Sequence, residues 1–220
     1  TIEDVKMFNV RDIEQLTPNL SFTVANDGSS GSLQAFLRGV GQVDFAITTD
    51  PGVGLYLDGV YMARTVGANF EFSDIERVSV LRGPQGTLFG KNTIGGAINV
   101  ITRAPTGEGG VSAELTGGED GYVSFDGYAE APLGDNWAGS VSFLAKQSDG
   151  YQSRDRGDAA GNHEMWGLRA HLNGDFTENW NSHLVVDYSD VDQNVYPRVL
   201  SDFDPNQFFP SIYNAFVGPV

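Results

Sequence analysis

The stretch "LRGPQGTLFGKNTIGGAINV" (residues 81–100) packs five glycines around a single lysine. Its middle is close to a phosphate-binding loop, which requires the pattern G-x-x-x-x-G-K-[ST]. Here only three residues separate Gly86 from Gly90, and Asn92 replaces the hydroxyl that would hold magnesium. A nucleotide-dependent enzyme would bind ATP, and these two departures predict that this chain does not. The glycines are instead expected to allow positive φ and close backbone packing.

The composition excludes several kinds of site. The 220 residues include 29 acidic and 13 basic side chains, for a formal net charge of −16. A nucleic-acid partner needs a basic footprint, so none is expected. The chain has no cysteine, so neither a disulfide nor a thiolate metal site is possible. No run of about 18 apolar residues is present, so no transmembrane helix is encoded.

From about Gly109 onward, apolar and polar residues alternate along long segments. The clearest are residues 164–176 and 180–191, and an alternation of period two is typical of strands with one apolar face. A hairpin turn centred on Glu178 predicts these cross-strand pairs: Leu168 with Tyr188, Ala170 with Val186, Leu172 with Leu184, and Arg169 with Asp187. The first three pairs are apolar and the last is oppositely charged, so the two faces separate cleanly.

A similar hairpin precedes this one. Residues 121–131 and 137–148 alternate in the same way, and a turn centred on Gly134 predicts Phe125 opposite Phe143. Together with residues 111–116, the sequence predicts five strands. A closed bacterial barrel needs at least eight, and each unpaired backbone group in lipid costs several kcal/mol. If these strands lie in a membrane, we therefore expect them to be part of a longer chain.

The spacing of aromatic residues fits a membrane. Trp166 and Phe176 are ten residues apart, about 33 Å along a strand at roughly 3.3 Å per residue. Tilted by about 45°, this length projects to about 23 Å, close to the roughly 25 Å apolar band of outer-membrane barrels. The turns at 132–136 and 177–179 are short, whereas 149–162 is long and polar, as at the two ends of such barrels. A soluble β-sandwich with one wet face also alternates and is the alternative.

The first part of the chain has a different pattern. Short apolar runs bounded by Gly, Pro, Asn or Asp predict strands at 20–25, 33–40, 53–62, 75–81 and 97–102. One short helix is expected before them, because Asn9 can cap it, Val10, Ile13 and Leu16 share a face, and Pro18 ends it. These elements predict a small mixed α/β domain.

Three segments of this first part resemble the plug signature of TonB-dependent outer-membrane receptors. They are "SDIERVSVLRGPQGTLFGKNTIGGAINVITR" (73–103), "GLYLDGVYMAR" (54–64) and "FLRGVG" (36–41), in the order and spacing of that family. The resemblance implies a transmembrane antiparallel β-barrel, partial with about five strands present, whose lumen holds an N-terminal mixed α/β plug domain. It divides the chain into a plug at 1–105, incomplete at its N-terminus, and the first barrel strands at 106–220.

The resemblance also implies a function. Receptors of this family lie in the bacterial outer membrane, among its lipids, and import scarce substrates with energy from the TonB complex. A ferric siderophore is the commonest substrate class, and cobalamin, an oligosaccharide or another chelate are alternatives. The segment that engages TonB is not recognisable in this sequence, so we expect it outside. An alternative of another class is a soluble β-rich adhesin or carbohydrate-binding module.

Motif residues carry over from the family with structural roles. Arg38, Arg77 and Arg82 resemble plug arginines that pair with carboxylates of the barrel wall. The remaining motif residues are expected to form turns and close contacts: Gly39, Asp58, Gly59, Gly83, Gly86, Gly90, Gly95 and Gly96. By analogy, the substrate meets the plug at 41–52 and 63–70, which makes these residues candidate contacts: Gln42, Asp44, Arg64 and Asn69.

Metal and catalytic sites are poorly supported by the sequence. Two Asp-x-Asp-x-Asn clusters, starting at Asp190 and Asp202, begin like a calcium loop but lack the glycine that follows in an EF-hand. His171 and His183 are expected to share the lumen face, but two imidazoles are too few for a metal site. No arrangement of serine, histidine and acid, and no paired carboxylates, can be picked out. We expect no enzyme, no catalytic residues and no cofactor.

Overall fold

The computed structural model describes residues 13–24, 33–42, 49–63, 74–150, 161–177 and 179–193. Its elements, in chain order, are α1 (Ile13–Leu16), β1 (Leu20–Val24), β2 (Leu33–Leu37), β3 (Val40–Gly41), β4 (Val53–Leu57), β5 (Val60–Tyr61), β6 (Ile75–Arg82), α2 (Gly86–Phe89), β7 (Gly96–Thr102), β8 (Gly110–Gly117), β9 (Val123–Pro132), β10 (Trp137–Ser148), β11 (His163–Thr177) and β12 (Trp180–Gln193). No described helix is long and apolar enough to cross a membrane. The predicted fold class, a partial antiparallel transmembrane barrel with a mixed α/β plug domain, is confirmed.

The plug, meaning the described residues up to 105, consists of two small sheets. β1, β2 and β3 form one antiparallel sheet, and the other has the order β5-β4-β7-β6. Within the second sheet β4 and β7 run parallel, and the remaining pairs are antiparallel. Leu37, Ile98 and Val100 are completely buried in a core that both sheets share. The five strand predictions hold, and two of the runs fold back into hairpins at Arg38-Gly39 and Asp58-Gly59.

The helix prediction is only partly right. α1 has four residues, and Ile13 is buried while Leu16 is 53% exposed. The two side chains therefore do not share one packed face, because so short a helix has a single turn to place against β1. Asn9 and Val10 lie outside the described residues.

The wall sheet, β8–β12, is an antiparallel meander in which each strand pairs with its neighbours in the chain. The register predicted for β11 and β12 is confirmed, with Leu168 opposite Tyr188 and Ala170 opposite Val186. A β-bulge between Asp175 and Thr177 makes Thr177, rather than Phe176, the partner of Trp180. The buried face rules out a slip by one residue, which would turn every side chain over.

The register predicted for β9 and β10 is wrong by two residues. Phe143 lies opposite Gly127, and Phe125 lies opposite Ala145. The turn is centred one residue later than Gly134, and a shift of two leaves every side chain on its expected face. Phe125 and Phe143 still meet diagonally, with ring centroids 6.1 Å apart.

The two faces of the wall sheet differ as the alternation predicts. Apolar side chains point outward and are exposed, with Leu168 at 43% and Val186 at 60%. The opposite face carries buried polar groups that the plug covers, among them Ser142 and Arg169, each 1% exposed. Aromatic rings mark both ends of the outer face: Trp137 against Phe176 at 4.8 Å, Phe176 against Trp180 at 5.7 Å, and Trp166 against Tyr188 at 5.2 Å.

Candidate functional site between plug and wall

A single carboxylate joins the plug to the inner face of the wall. Asp74, just before β6, is completely buried. Ser142 of β10 donates its hydroxyl to Oδ2 at 2.9 Å, and the Arg169 guanidinium of β11 donates to Oδ1 at 2.9 Å. Nε2 of His171 lies 3.4 Å from Oδ2. Residues far apart in the sequence thus meet in one polar cluster.

The cluster continues to the next strand through a second histidine. Nδ1 of His171 lies 3.2 Å from Nε2 of His183, and the two rings stack with centroids 5.4 Å apart. The expectation that these histidines share the lumen face is confirmed. Nε2 of His171 thus faces Asp74 while Nδ1 faces His183, and which ring nitrogen donates depends on the tautomer of each ring.

The electrostatics keep Asp74 ionised. Burial alone would raise the pKa of its carboxyl group, but the hydrogen bond from His171, the Arg169 charge and the hydrogen bond from Ser142 together lower that pKa below its ordinary value. A buried charge is tolerated only when it is paired and hydrogen-bonded in this way. The contact is therefore an ion pair at neutral pH.

A second attachment lies where the plug leads into the first wall strand. The Arg103 guanidinium sits 5.2 Å from the centre of the Tyr128 ring on β9. Thr106 donates its backbone N–H and its hydroxyl to the Glu130 carboxylate at 3.1 and 2.9 Å. The backbone N–H of Arg103 also donates to the Asp74 carbonyl at 2.6 Å, which links the two attachments.

The glycine-rich stretch forms a structural loop between β6 and β7. Tyr56 donates its hydroxyl to the Phe89 carbonyl at 2.6 Å, and the Asn92 amide donates to the Tyr61 hydroxyl at 2.8 Å. The lysine side chain of Lys91 is exposed and lies 3.9 Å from Asp50. The loop is thus held against β4 and β5 by its own side chains and backbone.

Two adjacent glycines allow the close approach that the sequence led us to expect. A Cβ on Gly95 would lie 2.9 Å from the Val40 carbonyl oxygen. Gly96 has φ +150°, and a Cβ there would overlap the Leu81 carbonyl oxygen. Gly83 and Gly90 also have positive φ, whereas a Cβ on Gly86 would meet nothing within 4 Å.

The two hairpin turns of the plug share one backbone geometry. Arg38 and Gly39 have φ of 53° and 78°, and Asp58 and Gly59 have φ of 49° and 81°. Asp58 is further fixed, because its carboxylate accepts the Thr102 N–H at 2.8 Å and the Thr102 hydroxyl at 2.7 Å. The predicted Asp58-Gly59 turn is therefore present and locked onto β7.

The plug arginines are arranged differently from the wall ion pair. Arg38, Arg77 and Arg82 have exposed side chains in the structure. In the Asp74 contact the plug supplies the carboxylate and the wall supplies the arginine, the reverse of the polarity inferred for these three. Contacts of the three arginines with wall carboxylates remain a prediction, which further strands would have to supply.

Sequence reasoning missed the Asp74 cluster because it depends on long-range pairing. The alternation placed Arg169 opposite Asp187, and these residues are Cα partners as expected. The Arg169 guanidinium nevertheless reaches Asp74, which lies 95 residues earlier in the chain. The alternation places Arg169 on the inward face of the wall, toward the lumen domain. An arginine there could have prompted a search for a plug carboxylate as its partner.

The candidate substrate contacts are mostly outside the described residues. Asp44, Arg64 and Asn69 lie there, as does the cluster that starts at Asp202. Gln42 is described, and its amide donates to the Thr49 carbonyl at 3.1 Å. Within the described ranges, no group of three or more His, Asp or Glu is placed to hold a metal ion.

A small mixed α/β domain seated on the polar face of an outward-apolar strand meander defines a plugged membrane barrel. Residues 1–97 match the family model of the TonB-dependent receptor plug domain. The chain is 34% identical over 170 residues to the pesticin receptor of Yersinia pestis, covering 73% of this chain and 23% of that protein. It is 25% identical over 160 residues to the vitamin B12 transporter BtuB of Photobacterium profundum, covering 70% of this chain and 25% of that protein.

A solved structure shows the same fold. The ferric yersiniabactin uptake receptor FyuA from Yersinia pestis superposes with a TM-score of 0.71 at 24% identity, covering 86% of this chain and 30% of that one. The chain belongs to the TonB-dependent receptor family, and these receptors are bacterial outer-membrane proteins. It spans about a quarter of the length of the curated relatives. The division at residue 105 remains a prediction.

Proposed function

We propose that this chain forms the plug and first wall strands of an active-transport receptor that imports a ferric siderophore with energy from the TonB complex. The observation that supports this most directly is the Asp74 cluster, which seats the plug on the polar inner face of a wall whose outer face is apolar. A domain held inside a barrel closes the lumen, so passage requires that the plug be rearranged.

The names of similar proteins support the proposed substrate class. FyuA, whose solved structure has the same fold, is a ferric yersiniabactin uptake receptor. A relative at 25% identity transports vitamin B12, so cobalamin is the first alternative, followed by an oligosaccharide or another chelate. A relative at 34% identity is a receptor for pesticin.

A soluble adhesin or carbohydrate-binding module is the weaker alternative. It predicts a protein that stays monodisperse without detergent, whereas the exposed Leu168, Leu184 and Val186 predict that detergent is required. Size-exclusion chromatography with and without detergent separates the two classes. A receptor is also expected to have no enzymatic activity, in keeping with the transport roles of its relatives.

The substrate is proposed to meet the plug at Gln42, Asp44, Arg64 and Asn69. Binding of radiolabelled ferric chelates, cobalamin and oligosaccharides to cells that express the intact receptor tests the substrate class. We expect one ferric chelate to bind and to be imported only in energised cells. Import that continues in the presence of a protonophore would contradict the proposed energy coupling. Binding of cobalamin alone would make cobalamin, rather than a ferric siderophore, the substrate.

A matched set of variants tests the contacts themselves. Arg64→Ala and Asn69→Ala are expected to weaken binding, while Glu76→Gln, on the exposed face of β6, serves as the control. If all three variants bind like the unaltered receptor, these residues are not the contacts.

A further inference from the structure

We propose that Asp74 is the positioning residue that seats the plug against the wall and keeps the lumen closed. The inference rests on the proposed function only in taking the plug to be the closure of a transport pathway. The sequence motifs single out plug arginines for this task, whereas the described residues assign it to a plug carboxylate.

On the wall side, the contact spans three neighbouring strands. Asp74 uses Oδ1 for Arg169 of β11, and Oδ2 for Ser142 of β10 and His171 of β11. His171 in turn meets His183 of β12. One carboxylate thus contacts β10 and β11 directly and reaches β12 through His171, which a contact with a single strand could not do.

On the plug side, the contact is tied into the four-stranded sheet. The Asp74 carbonyl accepts the Arg103 N–H just after β7, and Asp58 holds Thr102 at the end of that strand. A displacement of Asp74 would therefore move the ends of both β6 and β7. The carboxylate transmits the position of the wall to the sheet, rather than anchoring a loose segment.

Charge explains why this contact can act as a seat. Asp74 and Arg169 are 0% and 1% exposed, so their attraction is little screened by water or salt. Removing one member of a buried ion pair is far more damaging than weakening a surface pair. Asp74→Asn keeps the shape of the side chain, removes its charge and replaces one of its two acceptor oxygens with an amide donor.

The experiment is ion conductance of the intact receptor in a planar lipid bilayer, measured without substrate. For Asp74→Asn we expect about ten- to a hundredfold more open time than for the unaltered receptor, the change expected from losing a charge-assisted hydrogen bond. Glu76→Gln removes an exposed carboxylate two residues away and is the control, expected to stay closed. Ser142→Ala, which leaves both charges in place, is expected to lie between the two.

A double variant tests whether Asp74 acts through its wall partner. Groups in direct contact are not additive, so Asp74→Asn combined with Arg169→Gln should conduct no more than the more open single variant. Independent, multiplying effects would overturn the proposal, and so would an Asp74→Asn receptor as closed as the control. If Asp74→Asn does not reach the membrane, a Ser142→Ala receptor as closed as the control overturns it.

The result does not depend on the substrate. A receptor that binds no ferric chelate but conducts ions in the Asp74→Asn variant would refute the proposed substrate and support the proposed role of Asp74. A receptor that imports the chelate but stays closed in the Asp74→Asn variant would support the proposed substrate and refute the proposed role of Asp74.

Discussion

The plug and the wall are specified by the sequence in different ways. In the wall, every other residue of β11 and β12 faces outward, and this alternation together with a short turn sets which residues pair. In the plug, the strands are short and the decisive positions are glycines and turn residues, each needed for one particular contact. The lipid-facing side of the wall thus depends mainly on polarity, while the plug and the wall residues that contact it depend on individual atoms.

The difference predicts where single substitutions are most harmful. A lipid-facing wall position such as Val186 is exchangeable as long as the new residue is apolar. A plug position such as Gly96 has no substitute, because positive φ and a neighbouring carbonyl both exclude a side chain. The comparison can be broken or sharpened by matched substitutions in the two regions.

The largest effect is expected for Gly96→Ala. The new Cβ would overlap the Leu81 carbonyl oxygen, and the backbone at φ +150° disfavours any side chain. We expect a loss of about 4 kcal/mol or more in the free energy of unfolding of the plug, within the range of severe core changes. Protease resistance of the plug in the intact receptor, followed against urea, measures it.

Gly86→Ala is the control for this prediction. A Cβ there meets nothing within 4 Å, and Gly86 begins α2, where alanine is favoured. We expect no loss of stability. If both variants behaved alike, the glycines of the motif would serve conformational freedom in general, and the contrast drawn between plug and wall would fail.

The second effect tests the lipid-facing surface of the wall. Val185 and Val186 are adjacent on β12, opposite His171 and Ala170, and so lie at the same depth on opposite faces. Val186→Lys faces lipid and should cost roughly 2–4 kcal/mol if this depth is near the bilayer midplane. Val185→Lys faces the lumen and should cost much less. Urea unfolding of the intact receptor in lipid vesicles gives both values.

The same pair discriminates between the fold classes. If the described sheet were the surface of a soluble protein, the exposed Val186 would point into water and Lys would be accepted there. Equal stability of the two variants would therefore count against a membrane wall, whatever substrate the receptor proves to bind.

The third effect compares the two hairpin turns of the plug. Asp58→Ala removes the acceptor of two hydrogen bonds from Thr102, and we expect a loss of about 2 kcal/mol. Arg38→Ala alters an equivalent turn with an exposed side chain, and we expect a loss within about 0.5 kcal/mol. Thermal unfolding of the intact receptor compares them. A large effect of Arg38→Ala would support its predicted contact with a wall carboxylate.

Sequence reasoning reached most of the fold, for a physical reason. The pairing of Leu168 with Tyr188 could be predicted because the pattern repeats every two residues and a short turn joins the strands. The β9–β10 register was wrong by two because the longer turn around Gly134 leaves its centre open. Strand bounds in the plug were predicted from Gly and Asp-Gly punctuation, which is equally local.

The site was largely beyond such reasoning. Asp74 meets Ser142 and Arg169 at separations of 68 and 95 residues, and no periodicity links positions so far apart. The resemblance to a family named the domain that fills the lumen but pointed to arginines rather than to this carboxylate. Only the packing of the plug on the wall brings the three side chains together.

The smallest effect concerns pH and isolates the charge of that contact. The pKa of Asp74 is lowered in the folded protein, because burial raises it less than His171, Arg169 and Ser142 together lower it. A lowered pKa contributes stability that is fully present above the pKa of the unfolded chain and is lost as pH falls through the folded value. We therefore expect the difference in melting temperature between the unaltered receptor and Asp74→Asn to be largest near neutral pH. It should shrink below the ordinary aspartate value, about pH 4.

The groups that face the carboxylate must be separated from it in this measurement. Arg169 and His171 face the carboxylate and His183 contacts His171, so the same pair of receptors is compared in a His171→Gln background. The acid loss should persist there if it belongs to Asp74, because the Arg169 and Ser142 contacts remain. If the acid loss disappeared in the His171→Gln background, it would depend on His171, and the pH-sensitive group would lie on the wall rather than on the plug.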